Sequence, residues 1–352
     1  MLHHPRLTKV LLALTLSLSA AFASAAEPFK VCWSIYVGWM PWGYGADQKI
    51  VDKWAKKYGI EIEVVQINDY VESINLYTAG QFDGCVMTNM DALTIPAAGG
   101  VDSTALIVGD FSNGNDGVVL KGAKSLKEIK GQQVNLVELS VSHYLLARAL
   151  ETVGLKEADV KVVNTSDADM VAVYGNKDVT AVTTWNPLLS EILAQPGSNK
   201  VFDSSQIPGE IMDLMIVNTE TLKANPALGK ALVGAWYEIM GVMSASDKAA
   251  TAAKTSMAIA SGTDLAGFES QLASTKMFYT PEPALELINS DELLKTMQKV
   301  AEFSFDHGLL GDGAPDAEFI GVAGPKGVYG NKDNVKLRFD PTYMQMAADK
   351  KL

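Results

Sequence analysis

Three carboxylates stand where an apolar chain would not be expected to tolerate them. Asp91 follows the apolar run 82–88, Glu138 comes directly after 133–137, and Asp213 sits between Met212 and Leu214. A buried carboxylate without a partner costs several kcal/mol, or shifts its pKa and neutralises. Indole rings accompany these acids. Trp39 and Trp42 fall just after a predicted first strand, and Trp185 follows another at 179–183. Ser142 and His143 open a helical stretch behind Glu138. No Lys or Arg occupies any of these post-strand positions. Acids without basic neighbours, beside indole faces, suit a cation. Guanidinium is planar, offers only donors, pairs bidentately with carboxylates and stacks on indole. Urea has nearly the same shape but needs a donor for its carbonyl oxygen. An anion would need positive charge or free helix N-termini.

Each of these residues also has an ordinary structural role open to it. Asp91 could cap its own helix, Glu138 could sit exposed at an edge, and Asp213 could lie on the wet face of a strand. His143 could belong to the first turn of its helix, and Trp39 and Trp42 could plug the core beneath the first helix. Trp33 and Tyr36 are assigned to strand packing. The predicted ligand set is Trp42, Asp91, Glu138, Trp185, Asp213, Trp39, Ser142 and His143, with no catalytic residue, metal ligand or cofactor.

The elements that must position these residues alternate. Strands are predicted at 30–37, 60–67, 82–88 and 103–110, separated by helices at 47–58, 69–78 and 91–98. Asp69 is the expected N-cap of the second helix, and Gly59 the stop of the first. A turn-rich stretch at 112–117 suits a crossover. A second alternating set follows, with strands at 133–137, 160–164 and 179–183 and helices at 142–153, 167–174 and 187–194. The run 211–217 reads as a strand crossing back, and 219–260 and 281–307 as helical. This is the pattern of an α/β fold with two doubly wound sheets joined by a hinge. The expected division is lobe 1 from 26–114 and 216–352, and lobe 2 from 115–215. Ligands of such sheets lie off the carboxyl ends of the strands.

The N-terminus reads as an export signal over residues 1–25. Arg6 and Lys9 precede an apolar segment, and Ala23-Ser24-Ala25 forms a cleavage site. Export, and hence a periplasmic location, is the expectation. A net charge of −12 over 352 residues argues against nucleic acid and anionic membranes as partners. Cys32 and Cys85 are the only cysteines. They could pair in an oxidising compartment, or lie as two buried thiols in neighbouring strands, which is the reading preferred here. The chain carries no G-x-S-x-G, H-E-x-x-H, P-loop or G-x-G-x-x-G motif, so it is read as a non-enzyme.

Several local motifs carry a family resemblance in their order and spacing. They are the loop Gly38-Trp39-Met40-Pro41-Trp42-Gly43, the segment Thr78-Ala79-Gly80-Gln81-Phe82-Asp83, and Thr88-Asn89-Met90-Asp91-Ala92-Leu93. Lys124–Gly131 and Thr184-Trp185-Asn186-Pro187 complete the set. Together they resemble the taurine/nitrate/sulfonate-type periplasmic binding proteins of ABC importers. Within that group, the aromatic loop and ELSVSHYLLARAL look most like the urea-carboxylase-associated subgroup. The resemblance implies a type II-like two-lobed periplasmic-binding-protein fold, hinge closure on a small molecule, an inner-membrane ABC permease as partner, and a monomer. The alternatives to guanidinium are urea, a taurine-, nitrate- or sulfonate-type anion, and an enzyme of the related pyrimidine-synthesis fold.

Overall fold

The structure is a computed structural model that describes residues 27–352. The predicted export signal at 1–25 lies outside the described residues. The chain opens with β1 (Phe29–Trp33), α1 (Met40–Asp47), α2 (Ile50–Lys57), β2 (Ile62–Gln66), α3 (Tyr70–Thr78), β3 (Gly84–Thr88), α4 (Asn89–Ala92) and β4 (Ser103–Ser112). Residues 113–115 then cross to β5 (Asp116–Lys121), β6 (Gln133–Leu136), α5 (Val141–Thr152), β7 (Lys161–Asn164), α6 (Asp167–Tyr174), β8 (Ala181–Trp185), α7 (Leu188–Leu193) and β9 (Ser198–Asp203). The chain returns through 204–211 to β10 (Met212–Asn218), α8 (Thr219–Ala224), α9 (Pro226–Ser244), α10 (Lys248–Ala260) and α11 (Leu265–Ala273). It ends with β11 (Thr275–Met277), α12 (Pro281–Ile288), α13 (Glu292–Asp306), β12 (Gly321–Gly324), β13 (Gly327–Tyr329), β14 (Val335–Phe339) and α14 (Thr342–Ala348).

Two sheets result. The larger runs β13-β12-β14-β4-β10-β3-β1-β2, with β11 added beside β4; the smaller runs β7-β6-β8-β5-β9. Neither is purely parallel. The returning strand β10 lies antiparallel between β3 and β4, and β5 lies antiparallel to both β8 and β9. A strand that enters a lobe through a crossover arrives from the opposite direction to the β-α-β units around it. The parallel β-α-β pairing therefore holds among β1, β2 and β3 and among β6, β7 and β8, and breaks where the chain changes lobe and at β11 and β13.

Local chemistry explains most element ends. The Asp69 carboxylate accepts the Glu72 N–H at 2.9 Å and starts α3. Gly59, with φ of 69°, terminates α2 in the left-handed region. The aromatic stretch read as a loop at 38–43 is instead largely helical. Pro41 falls in the first turn of α1, where its missing N–H and fixed φ favour a helix start. Cys32 and Cys85 form a disulfide rather than two free thiols. β1 and β3 are parallel neighbours that place the two residues in register, with 4.4 Å between Cα atoms.

The two crossovers are fastened to each other by small polar side chains. The Ser112 and Ser204 hydroxyls lie 2.6 Å apart, and the Gly114 N–H donates to Ser204 Oγ at 2.7 Å. Asn115, in the first crossover, donates to the Tyr36 hydroxyl at 3.1 Å and accepts from Asn186 at 2.5 Å. It therefore touches residues of both lobes at the hinge.

Candidate ligand-binding site

The carboxyl ends of β1, β3 and β4 converge on the edge of the large sheet that faces the small one. Register sets the site there. In β10, Asp213 lies opposite Thr88 of β3 on one side and Asp110 of β4 on the other. In the small sheet Asp116, the first residue of β5, lies opposite Trp185, the last of β8. A cavity of about 20 Å³ lies between the two sets, walled by Tyr36, Trp39, Tyr70, Thr88, Asp116, Val141, Trp185, Ile211 and Asp213. Such a space holds one or two water-sized groups, at roughly 10–15 Å³ each. The rings form a continuous wall. Trp39 lies 5.0 Å from Tyr36 and 5.3 Å from Tyr70 between centroids, and Tyr70 meets Trp185 edge-on at 5.8 Å. The last contact joins the lobes.

Four buried carboxyls lie at or behind this wall: Asp116 and Asp213 line the cavity, Asp91 stands behind Tyr70 and Thr88, and Asp110 lies beside Asp213. None forms an ion pair with a Lys, Arg or His among the described residues. Asp91 accepts from the Tyr70 hydroxyl at 2.6 Å and from Thr88 Oγ1 at 2.8 Å. Burial pushes its carboxyl up to about 6, despite those bonds and the Val141 N–H at the start of α5. Asp116 accepts from Ser112 Oγ, yet burial and the charges of Asp213 and Asp91 push it up to about 7. Asp110 and Asp213 are neighbours on adjacent strands. Burial first, then their mutual contact, drives Asp213 well above the usual carboxylate range, and Tyr36 and Trp39 only partly offset this. Among the described residues, both Asp110 oxygens, Asp213 Oδ2 and Asp91 Oδ1 lack a hydrogen-bond donor. Two ionised carboxylates cannot lie in contact in so dry a place, so the pair shares a proton. Gly38 permits the arrangement, because a Cβ there would come within 2.5 Å of Asp110 Oδ2.

Of the residues singled out from sequence, Trp39, Trp185 and Asp213 line the cavity, and Asp91 stands directly behind Tyr70 and Thr88. Four lie elsewhere. Trp42 is turned inward on α1 and stacks on Trp236 at 5.3 Å, lining a smaller void on the far side of Asp110 and Asp213. Glu138 is exposed. β6 stops at Leu136, the chain turns outward, and the Glu138 N–H donates to Asn164 Oδ1. Ser142 is buried in the first turn of α5 with its Oγ unpaired, outside the cavity wall. His143 points away from the cavity. Its Nδ1 accepts the Leu139 N–H at 3.1 Å, and its Nε2 lies 3.2 Å from Glu157 Oε2.

Sequence reasoning missed Tyr36, Tyr70, Thr88 and Asp116. Tyr36 was assigned to strand packing, but β1 ends at Trp33, so Tyr36 already lies beyond the strand's carboxyl end. Asp116 was absorbed into the turn-rich crossover. A usable signal was present, since an acid two residues before the apolar run Val118-Val119-Leu120 starts a buried strand at the hinge.

A family model described as NMT1/THI5 like matches residues 52–250. A protein of Escherichia coli (strain K12), provisionally named an aliphatic sulfonates-binding protein, is 26% identical over 53% of this chain and 56% of its own length. The taurine-binding periplasmic protein of the same organism is 24% identical over 36% of this chain and 40% of its own. The chain thus spans about half the length, or less, of the curated relatives it matches. Among solved structures, the alkanesulfonate-binding protein SsuA from Xanthomonas axonopodis pv. citri, bound to MOPS, superposes with a TM-score of 0.66 at 16% identity, covering 82% of this chain and 96% of that one. The periplasmic aliphatic sulphonate binding protein SsuA from Escherichia coli gives 0.65 at 18% identity, covering 81% and 94%. At such identities the likeness establishes the fold: an α/β, two-lobed periplasmic-binding-protein architecture with two sheets.

Proposed function

The chain belongs to the NMT1/THI5-like family, and on that premise we propose that it is the periplasmic solute-binding component of an ABC importer, trapping a small planar cation of the guanidinium class between its lobes. One observation carries the ligand class. Two buried carboxyls, Asp116 and Asp213, line one small cavity, two more, Asp91 and Asp110, stand behind its wall, and no basic side chain among the described residues lines it. A cation entering there supplies the missing charge and lets the acids ionise. Asp213 and Asp116 reach it from opposite lobes, and Trp39 and Trp185 offer ring faces. The N-terminus of α5, which would otherwise favour an anion, already has the Asp91 carboxyl beside its Val141 N–H.

Binding and closure then form one step. A ligand seated against Asp213 on the large lobe gains Asp116 and Trp185 only when the small lobe meets it, and this difference in affinity shifts the population toward the closed shape. An inner-membrane permease would read that shape. Release needs the lobes to part at the Ser112–Ser204 and Asn115 crossovers.

A second reading is favoured by the names of the relatives, which point to sulfonates and taurine. Protonated Asp116 and Asp110 are hydroxyl donors and could serve an anion's oxygens. Thermal shift at neutral pH with guanidinium, urea, taurine, an alkanesulfonate and nitrate decides between these. A true ligand at 100 times its Kd adds roughly 2.7 kcal/mol. Stabilisation by guanidinium alone is expected; stabilisation by taurine or an alkanesulfonate alone rejects the cation, and by urea alone rejects the charge argument.

A further inference from the structure

On the groove between the lobes, away from the ligand cavity, the side chains of His143, Glu157 and His307 meet. His307 follows the last turn of α13 on the large lobe, and Glu157 precedes β7 on the small lobe. His307 Nδ1 lies 2.8 Å from the Phe303 carbonyl oxygen, and its Nε2 contacts Glu157 Oε2. Both partners are acceptors without a proton to give, so the two contacts are hydrogen bonds together only when both ring nitrogens of His307 donate. The ring's surroundings suit a cation twice over. It stands at the C-terminus of a 15-residue helix, where the dipole favours positive charge, and it stacks on Phe303 at 4.0 Å between centroids.

His143, on α5, has the opposite arrangement. Its Nδ1 accepts the Leu139 N–H, so its one proton sits on Nε2, facing Glu157. Burial lowers its pKa, against the pull of Glu157. A protonated Nε2 has no lone pair for a metal, which argues against reading the trio as a metal centre. The remaining charges in the groove are Lys299, Glu302 and Asp306 on α13, with Arg148 and Glu151 on α5 and Lys156 beside Glu157. Glu138 also faces His143 electrostatically. Arg148 and Lys299 are both engaged by Glu210, which leaves Glu157 as the anion that His307 touches.

We propose that the His307–Glu157 pair is a proton-dependent latch between the lobes, holding them together while His307 carries two protons and letting go when it loses one. This stands whatever the ligand is. Removing the proton from Nε2 turns a charge-assisted bond into two facing lone pairs, which repel. The closed state is thus favoured at the acid end and lost as pH rises.

The test is a spin-label or fluorophore distance between the lobes of the full mature chain without ligand, followed from about pH 5 to about pH 9, across the range where histidines change charge. The wild type should open as pH rises. His307→Gln should be open and pH-insensitive, and His307→Lys, which stays charged, should remain closed across the range. Nitrogen-15 NMR should show both ring nitrogens of His307 protonated at low pH. The latch is overturned by a pH-invariant distance, by an unchanged pH response in His307→Gln, or by a neutral His307 ring at low pH. Closure driven by added Zn²⁺ and reversed by EDTA at fixed pH would overturn it in favour of a metal site.

Discussion

Glu210 and Asp213 lie three positions apart on the returning chain and are almost equally buried, at 7% and 4% exposure, yet the fold treats them in opposite ways. Glu210 accepts from Arg148 Nε at 2.8 Å and NH2 at 3.1 Å, from Lys299 Nζ at 2.8 Å and from the Tyr144 hydroxyl at 2.7 Å. Burial alone would raise its carboxyl, but these donors more than offset that and hold it down at about 2. Asp213 has a second carboxyl as its neighbour and no cation. The chain can therefore answer a buried acid with basic residues, and it does so at the lobe junction. Around the cavity it withholds them. A protein with no use for charge there would gain stability by removing those acids, so their survival uncompensated fits a cation that arrives from outside.

The sharpest way to break this contrast is at Glu210. Replacing it with Ala strips Lys299 of its partner and leaves Arg148 with Glu151 alone; loss of one partner of a buried pair costs up to about 3–5 kcal/mol, less where a cation keeps water as Lys299 does. Chemical denaturation should show a fall of that order. A loss below about 1 kcal/mol would mean that the network is solvated and that the two regions do not differ as described.

The next effect lies in pH. Asp91 is fully buried, and its carboxyl is raised to about 6. The unfolded chain releases that proton near pH 3.9, while the folded chain keeps it. Between those values the folded state binds more protons, so stability falls as pH rises, and the penalty is complete above about pH 6. Two units correspond to about 3 kcal/mol. Unfolding free energies of the wild type and Asp91→Asn, measured at about pH 4 and about pH 7, should diverge by up to that amount, the wild type losing more. Parallel behaviour of the two proteins would show that Asp91 is ionised through its bonds from Tyr70 and Thr88.

A smaller effect, read in binding, comes from Asp213→Asn. One charge-assisted bond is worth about 1.5–3 kcal/mol, so calorimetry should show guanidinium affinity falling about ten- to a hundredfold or somewhat more. Unfolding free energy without ligand should hold or rise, the reverse of Glu210→Ala. If Asp213→Asn destabilises the protein as much as Glu210→Ala does, the cavity acids are structural.

The parts of this arrangement visible in the sequence are those decided within a few residues. The Asp69 cap, the Gly59 stop and the acid inside β10 each follow from neighbours in the chain. So does the place of Trp185 at a strand's carboxyl end. What escaped depends on pairing at a distance. Asp116 becomes a site residue because β5 and β8 set it opposite Trp185. Tyr70 becomes one because α3 packs its hydroxyl onto Asp91, 21 positions away. Trp42 lies off the cavity because the stretch read as a loop forms α1 from Met40, which turns that ring toward Trp236. The Cys32–Cys85 bond depended on a register between β1 and β3 that no local pattern specifies.

The smallest expected effect belongs to Glu138, which sequence reasoning placed among the ligand's charge partners. The strand before it ends early, Leu139 adopts a φ of 64°, and the Glu138 side chain stands in solvent. Surface substitutions clear of such features stay within about ±0.5 kcal/mol. Glu138→Gln should therefore leave guanidinium affinity within about twofold of wild type and leave the melting temperature unchanged, which calorimetry and thermal shift can check together. A tenfold loss of affinity would mean that the rim at β6 folds inward when ligand is bound, and that the acidic site extends over the edge of the small sheet.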